Sequence, residues 1–295
     1  MTETLAKLDQ RIPSTDFQNA TLDFQNATTL EDRGVSGSRR SGGIRVLLAL
    51  VSIGVGVYGA YLLRELGVQA PALKIAVILA FAGGLLSTWS PCGYSSLSLL
   101  RPQGSYGARA VAGWVPTLTT HALGYAIGAL VLGGGLGLLA WLLPISSLGG
   151  WPLAIIGLLA VAYGCHALEL VRMPYFQRRA QVSHGARNRH PMWLTGLIYG
   201  IQLGLNFVTY VRTPIIYIVV ALAVASGSLA TAILLIAVLN FGRWAPLLIN
   251  ALPVRDQDVQ AWLATNAQNA KLTDGLLLAA AGAAFVVMGV VMGTV

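Results

Sequence analysis

Ser-Thr-Trp-Ser-Pro-Cys-Gly-Tyr-Ser-Ser-Leu-Ser-Leu-Leu-Arg-Pro, residues Ser87 to Pro102, closes an apolar run that begins near Leu73. A proline, a thiol and a glycine stand side by side where lipid would surround the chain. Pro91 removes a helical hydrogen bond and clashes with the preceding turn. Gly93 adds freedom to bend. Ser87, Ser90, Ser95, Ser96 and Ser98 offer hydroxyls to the backbone groups that the break releases. A broken helix at membrane depth is tolerated only where protein or a wet cavity satisfies those groups. The stretch therefore predicts that Cys92 faces a protein interior and that the other hydrophobic segments wrap it.

Working outward, the composition fixes the class. Hydrophobic residues make up 55% of the 295 and charged residues 10%, against about a quarter charged in ordinary soluble domains. Apolar runs of roughly 20 residues read as membrane-spanning helices. The formal net charge of +8 comes from arginines clustered at segment ends, as the positive-inside rule expects, and argues against nucleic acid as a partner. Two cysteines are too few for a disulfide framework. A structural pair, two lone thiols and a redox pair all fit.

Seven spans are expected: about 44–63, 73–100, 111–139, 152–171, 193–211, 214–241 and 272–291. Residues 1–42 form a polar tail, expected to be disordered and cytoplasmic, in which Asp-Phe-Gln-Asn-Ala-Thr occurs at Asp16–Thr21 and again at Asp23–Thr28. Residues 43–72 supply a first helix and its connection, and residues 73–295 the main membrane domain. Arginines between Arg172 and His190 place that loop in the cytoplasm, and the uncharged stretch near Trp141–Trp151 places the opposite loop outside. The N-terminus is then cytoplasmic and the C-terminus periplasmic. The stretch Arg243–Lys271 is expected to be a cytoplasmic loop with a short amphipathic helix.

Polar residues inside spans are costly and often functional. His121 and Tyr125 share a face of the third span; a helix–helix hydrogen bond and a functional role both fit His121. Cys165, His166 and Glu169 lie near the end of the fourth, with Cys165 and Glu169 on one face and an ion pair expected between Glu169 and Arg172. Three neighbours on one turn do not converge on a metal, and none is expected. Asn206, Tyr210 and Arg212 form the polar end of the fifth span. Arg212 and Arg243 are expected to snorkel to headgroups. Glycines such as Gly124 and Gly128 suit close helix packing. No nucleotide loop or serine nucleophile elbow is present, no carboxylate pair falls within the membrane part, and no cofactor is expected.

Several of these residues resemble a known family. Leu86–Cys92 looks like the first Pro-Cys helix of the thiol-redox membrane proteins that include the cytochrome c biogenesis protein CcdA and the central domain of DsbD. Tyr163–Pro174 resembles the family's third helix through Gly164, His166, Leu170, Arg172 and Pro174. Gly227–Pro246 resembles its fifth. The resemblance implies an all-α integral membrane fold with a six-helix inverted-repeat core, here plus one extra N-terminal transmembrane helix. It implies that Cys92, hinged by Pro91 and Gly93, is the redox thiol in the inner membrane, with His121, Cys165, His166, Tyr210 and Arg212 in support. The family's second Pro-Cys pair is missing, since its cysteine position falls on Tyr210 or Val211. Exchange with a partner needs only one attacking thiolate, while a purely structural Cys92 also fits. The Ser90–Pro102 stretch, the leading helix and the single motif cysteine resemble family members that serve methylamine utilisation. That implies maturation of periplasmic methylamine dehydrogenase, alongside a thioredoxin-like periplasmic protein and a second membrane subunit. A small-solute or metal transporter without thiol chemistry and an assembly scaffold are the alternatives.

Overall fold

The computed structural model describes residues 42–63, 69–102, 106–142, 150–174, 189–210 and 212–293. The tail with its duplicated hexapeptide, and the loop residues 143–149 and 175–188 on which much of the orientation argument rests, lie outside them. The described residues form helices α1 (Gly42–Leu63), α2 (Gln69–Leu86), α3 (Pro91–Leu99), α4 (Ala108–Leu142), α5 (Trp151–Ala167), α6 (Met192–Gly204), α7 (Ile215–Ala225), α8 (Leu229–Trp244) and α9 (Asp256–Gly293). Short 3-10 turns at Ser87–Trp89 and Ala245–Ala251 follow α2 and α8. No strand occurs among the described residues.

Among the described residues, five helical segments, beginning at Gly42, Pro71, Ala108, Leu229 and Asp256, are long and apolar enough to cross a membrane. Their outward faces carry large apolar side chains, among them Leu50, Val55, Leu130, Val131 and Ile155 of the shorter α5, as lipid contact requires. The centre is α7. It has only 11 residues, about half the hydrocarbon thickness at 1.5 Å per residue. Yet Ile215, Val219 and Leu222 are fully buried, and α7 packs against α2, α4, α5 and α8. Around it, α9 runs along α5 and α1, α4 along α6, and α8 against α4 and α2.

Small residues set how close these pairs come. Gly157 and Gly282 face each other's backbones between α5 and α9: a Cβ on either would lie 2.6 Å or 2.7 Å from the other's carbonyl oxygen. Between α4 and α6 the contact runs through Gly124, Gly128, Gly196, Gly200 and Gly204. The close approach expected of small residues in membranes is met here by backbone touching backbone.

Several expected boundaries change. The second span is not one kinked helix: α2 ends at Leu86 and α3 starts afresh at Pro91, with proline in the first turn where its missing N–H costs nothing. The fourth stops at Ala167, because Glu169 adopts left-handed φ of 62°. The fifth stops at Gly204, with Asn206 left-handed at φ 58°. The sixth divides at Ser226–Ser228. Gly227, at φ 61°, ends α7, and the Ser228 hydroxyl caps α8 at the Thr231 N–H, 3.4 Å away. The supposed loop before the last span is helix: α9 is continuous for 38 residues, about 57 Å. Asp256 and Asp258 in its first turn suit the helix dipole, and no proline interrupts it.

Glu169 pairs with Arg45 of α1 and Lys271 of α9, not with Arg172 as expected; Lys271 Nζ donates to it at 2.9 Å. The helix ends before Glu169, so the face it was expected to share with Cys165 does not exist.

Candidate functional site

Two half-helices begin next to each other at the core. Each starts with a hydroxyl residue followed by proline. At the first, Ser90 Oγ accepts the Gly93 N–H at 3.1 Å and caps α3. At the second, Thr213 Oγ1 accepts the Ile215 N–H at 3.2 Å before α7. Arg212 ties the two breaks together by donating to the Trp89 carbonyl at 2.8 Å. Of the serine bonds expected to freed backbone, Ser87 donates to the Gly84 carbonyl at the end of α2 at 2.6 Å; Ser95 and Ser96 bond back to the Pro91 and Gly93 carbonyls within α3, each at 2.8 Å, and Ser98 donates to the Asp256 carboxylate at 3.0 Å.

Cys92 is the second residue of α3 and has no exposed surface. Its sulfur is thus turned away from lipid and toward protein. Gly93 is needed here, since a Cβ would meet the Thr88 Cα and carbonyl oxygen at 2.8 Å. Cys92 lies within electrostatic range of Tyr125 of α4. Tyr125 in turn meets the His121 ring edge-on, with centroids 5.0 Å apart. His121 is buried, and its Nδ1 lies 2.8 Å from the Gly196 carbonyl of α6. So the helix–helix hydrogen bond expected of His121 is present.

Beside this centre sits a buried polar network that joins α4, α6 and α8. Asn240 Nδ2 donates to the carbonyls of Tyr125 and Gly204, each at 3.0 Å. Asn206 Nδ2 donates to Gly204 at 2.9 Å and to Asn240 Oδ1 at 3.0 Å. Arg243 completes it, donating from one nitrogen to the Leu203 carbonyl at 2.8 Å and to Asn206 Oδ1 at 2.7 Å. Arg243 is 8% exposed, which corrects the expectation that it snorkels. Arg212 likewise points inward to Trp89.

The other expected site residues fall elsewhere. Cys165 and Cys92 form no disulfide with each other. His166 Nδ1 accepts the Met173 N–H at 3.1 Å, closing the chain end after α5. Tyr210 is half-buried in the connection to α7. Among the described residues, no three His, Cys, Asp or Glu side chains gather as a metal would require.

Asn240 and Asp274 escaped the sequence reading as site residues. Asp274 is buried in α9, accepting from the Thr213 hydroxyl and lying in the field of Arg212. The available signal was its position, third in the apolar span expected from residue 272.

No family model matches the chain, and no solved structure matches it. Curated relatives do. It is 47% identical over 251 residues to the methylamine utilization protein MauF of Paracoccus denitrificans, covering 85% of this chain and 90% of that one. Against the protein of the same name from Methylophilus methylotrophus it is 46% identical over 287 residues, covering 95% and 99%. Against that from Methylorubrum extorquens it is 49% identical over 258 residues, covering 86% and 90%. At such identity over nearly the whole length, the chain belongs to the methylamine utilization protein MauF family.

Proposed function

We propose that this protein is a multi-pass inner-membrane factor required to mature periplasmic methylamine dehydrogenase, and that it relays thiol-redox equivalents through Cys92. The N-terminus lies in the cytoplasm and the C-terminus in the periplasm. The domain from residue 73 onward is the CcdA/DsbD-like inverted repeat, and α1 is the added helix. Family membership supports the methylamine part of the reading. The repeat is supported by the two half-helices that each follow a hydroxyl residue and a proline, Ser90–Pro91 and Thr213–Pro214, whose hydroxyls accept the Gly93 and Ile215 N–H groups and which are joined through Arg212 and Trp89. Half-helix ends at midplane are a recurring plan for membrane transfer sites.

The observation that carries the redox reading is the placement of Cys92 in the first turn of α3, fully buried in protein at a helix break. Free N–H groups and the positive end of the dipole favour an anion there. A Cys92 thiolate attacks a disulfide of a thioredoxin-like partner, forms a mixed disulfide and releases one partner thiolate. A dithiol on the donor side then attacks that mixed disulfide, first joining one of its sulfurs to Cys92 and releasing the partner's second thiolate. Its other thiol displaces Cys92 as thiolate. Two electrons pass from dithiol to disulfide and Cys92 is regenerated. Pro91 and Gly93 shape the turn that presents the sulfur. A second membrane subunit and the dehydrogenase subunits are the remaining partners.

A transporter without thiol chemistry is favoured by one observation, the buried Asp274 with Thr213 and Arg212 at the second break. Replacing Cys92 with serine separates the two. Loss of active dehydrogenase in Cys92→Ser cells grown on methylamine supports the relay. Full maturation in Cys92→Ser/Cys165→Ser supports transport and overturns it.

A further inference from the structure

The stretch that leads into α9 and forms its first turns grips the Cys92 element from both sides. Before Cys92, Trp89 Nε1 donates to the Leu263 carbonyl at 3.0 Å, and the Trp89 and Trp262 rings lie 5.5 Å apart between centroids. After Cys92, Asn250 Nδ2 donates to the Leu97 carbonyl at 2.8 Å and Ser98 donates to the Asp256 carboxylate at 3.0 Å. Arg101 meets the same carboxylate at 3.3 Å and also donates to the Val254 carbonyl. Residues 250–263 thus form a strap fastened on either flank of the turn that carries the buried sulfur.

This fastening differs from the joints elsewhere in the bundle. There, α2 meets α8 backbone to backbone at Gly84 and Gly242, as α4 meets α6 and α5 meets α9 at their glycines. Between residues 245 and 271 there is no glycine, and each bond just named uses a side chain. Side-chain bonds of this kind exchange with water at modest net cost. The strap also has a narrow seat. Val259, Leu263 and Ala270 are buried, while Gln257, Asp258 and Thr265 are exposed.

A pivot lies further along the same helix. At Gly275, α9 is pinned to α5, where a Cβ would meet Leu168 Cγ at 2.8 Å and the Gly164 carbonyl oxygen at 3.1 Å. Between the strap and that pin, Thr265, Asn266 and Thr273 bond back to carbonyls four residues earlier in α9. Hydroxyl back-bonding of this sort bends helices. Lys271 ties the stretch to Glu169 at the rim.

We propose that the strap is a latch. It holds α3 shut at rest, and its release about the Gly275 pin lets Cys92 meet a protein disulfide. The inference rests on the redox reading, because a sulfur with no exposed surface exchanges with a partner only after part of its surroundings moves. Segments held by few buried apolar contacts are the ones that open locally.

The test is N-ethylmaleimide labelling of the full-length protein in membranes, with mass spectrometry following Cys92 and Cys165 separately. Asp256→Ala removes the acceptor that Ser98 and Arg101 share. Losing a hydrogen bond to a charged group shifts an opening equilibrium by about tenfold or more, so Cys92 labels about tenfold faster than in the parent. Arg255→Gln breaks the exposed pair with Asp258 on the same turn and leaves the Cys92 rate unchanged. Cys165 labels at the parent rate in every variant, which reports intact packing. An unchanged Cys92 rate in a folded Asp256→Ala overturns the latch, and so does an equal rise in Arg255→Gln. If Asp256→Ala fails to insert, Trp89→Phe carries the test. It keeps a ring beside Trp262 and loses the donor to Leu263, so an unchanged Cys92 rate there overturns the latch. The relay has its own readout, active dehydrogenase in Cys92→Ser cells: loss there, with labelling rates that never move, sinks the latch and leaves the relay standing.

Discussion

Gly128→Ala and Gly134→Ala change the same helix by the same methyl group and should have opposite effects. A Cβ on Gly128 would lie 2.5 Å from the carbonyl carbon of Gly204 and 2.6 Å from its Cα, whereas one on Gly134 meets nothing within 4 Å. Ordinary contact begins near 3.4 Å, so α4 and α6 must separate by roughly 1 Å to admit the first methyl. Alanine in place of glycine gains up to about 1 kcal/mol of helix propensity at either site. Overpacking costs about 1–3 kcal/mol, and only Gly128→Ala incurs it. Gly134→Ala is therefore the control, and the stability gap between the two variants measures the contact at about 1–3 kcal/mol. Gly204 also supplies the carbonyl that Asn206 and Asn240 share, so the separation disturbs the buried network and lowers dehydrogenase maturation as well. Thermal unfolding in one detergent, with matched lipid, reads the gap. Equal midpoints for the two variants would refute the backbone contact between α4 and α6.

Three further outcomes follow. Ser90→Ala removes the cap on α3 and lowers stability by about 1 kcal/mol, while Ser90→Gly costs only a few tenths; thermal melts that fail to rank them so would contradict the cap. Asn240→Leu removes the side-chain donor to the Tyr125 carbonyl and the acceptor of the Asn206 amide and costs about 1–3 kcal/mol, read by denaturant titration, with wild-type stability as the contrary result. Lys271, and after it Arg45, hold Glu169 below the usual carboxylate range. A depressed acid contributes stability above its unfolded value, near pH 4.5, and loses it as pH falls through the folded value. Because the carboxylate is 44% exposed, the contribution stays below about 1 kcal/mol and is screened by salt. Parent and Glu169→Gln should differ near pH 7 and converge toward pH 3; a gap that persists there would count against the ion pairs.

The apolar runs made the membrane class and the rough positions of most helices legible, because hydropathy is a property of composition. Pro91 marked its break for a similar reason: a missing N–H acts locally, whatever surrounds it. The break at Gly227 was hidden from hydropathy, although the family resemblance of Gly227–Pro246 begins a helix there. Apolar residues continue on both sides of Ser226–Ser228, and only the positive φ of Gly227 separates α7 from α8. The polar first half of α9 read as loop, since its partners, Trp89 donating to the Leu263 carbonyl and Ser98 bonding Asp256, come from about 160 residues away or more. Burial of Cys92 followed from the helix break. Burial of Arg243 did not, because snorkelling and inward locking look alike until Asn206 and Asn240 are known to meet it. Asp274 was missed on the same ground: its hydroxyl partner Thr213 sits 61 positions earlier.

The central claim is that the buried sulfur at the first break exchanges with a partner thiol. Acid-quenched alkylation of methylamine-grown Cys165→Ser cells, followed by non-reducing gels and mass spectrometry, tests it directly. The account predicts a reductant-sensitive adduct between Cys92 and a periplasmic thioredoxin-like protein, lost in Cys92→Ser together with active dehydrogenase. A Cys92 that forms no adduct and yields to no reagent from either side of the bilayer, in cells that mature the dehydrogenase normally without it, would contradict the account.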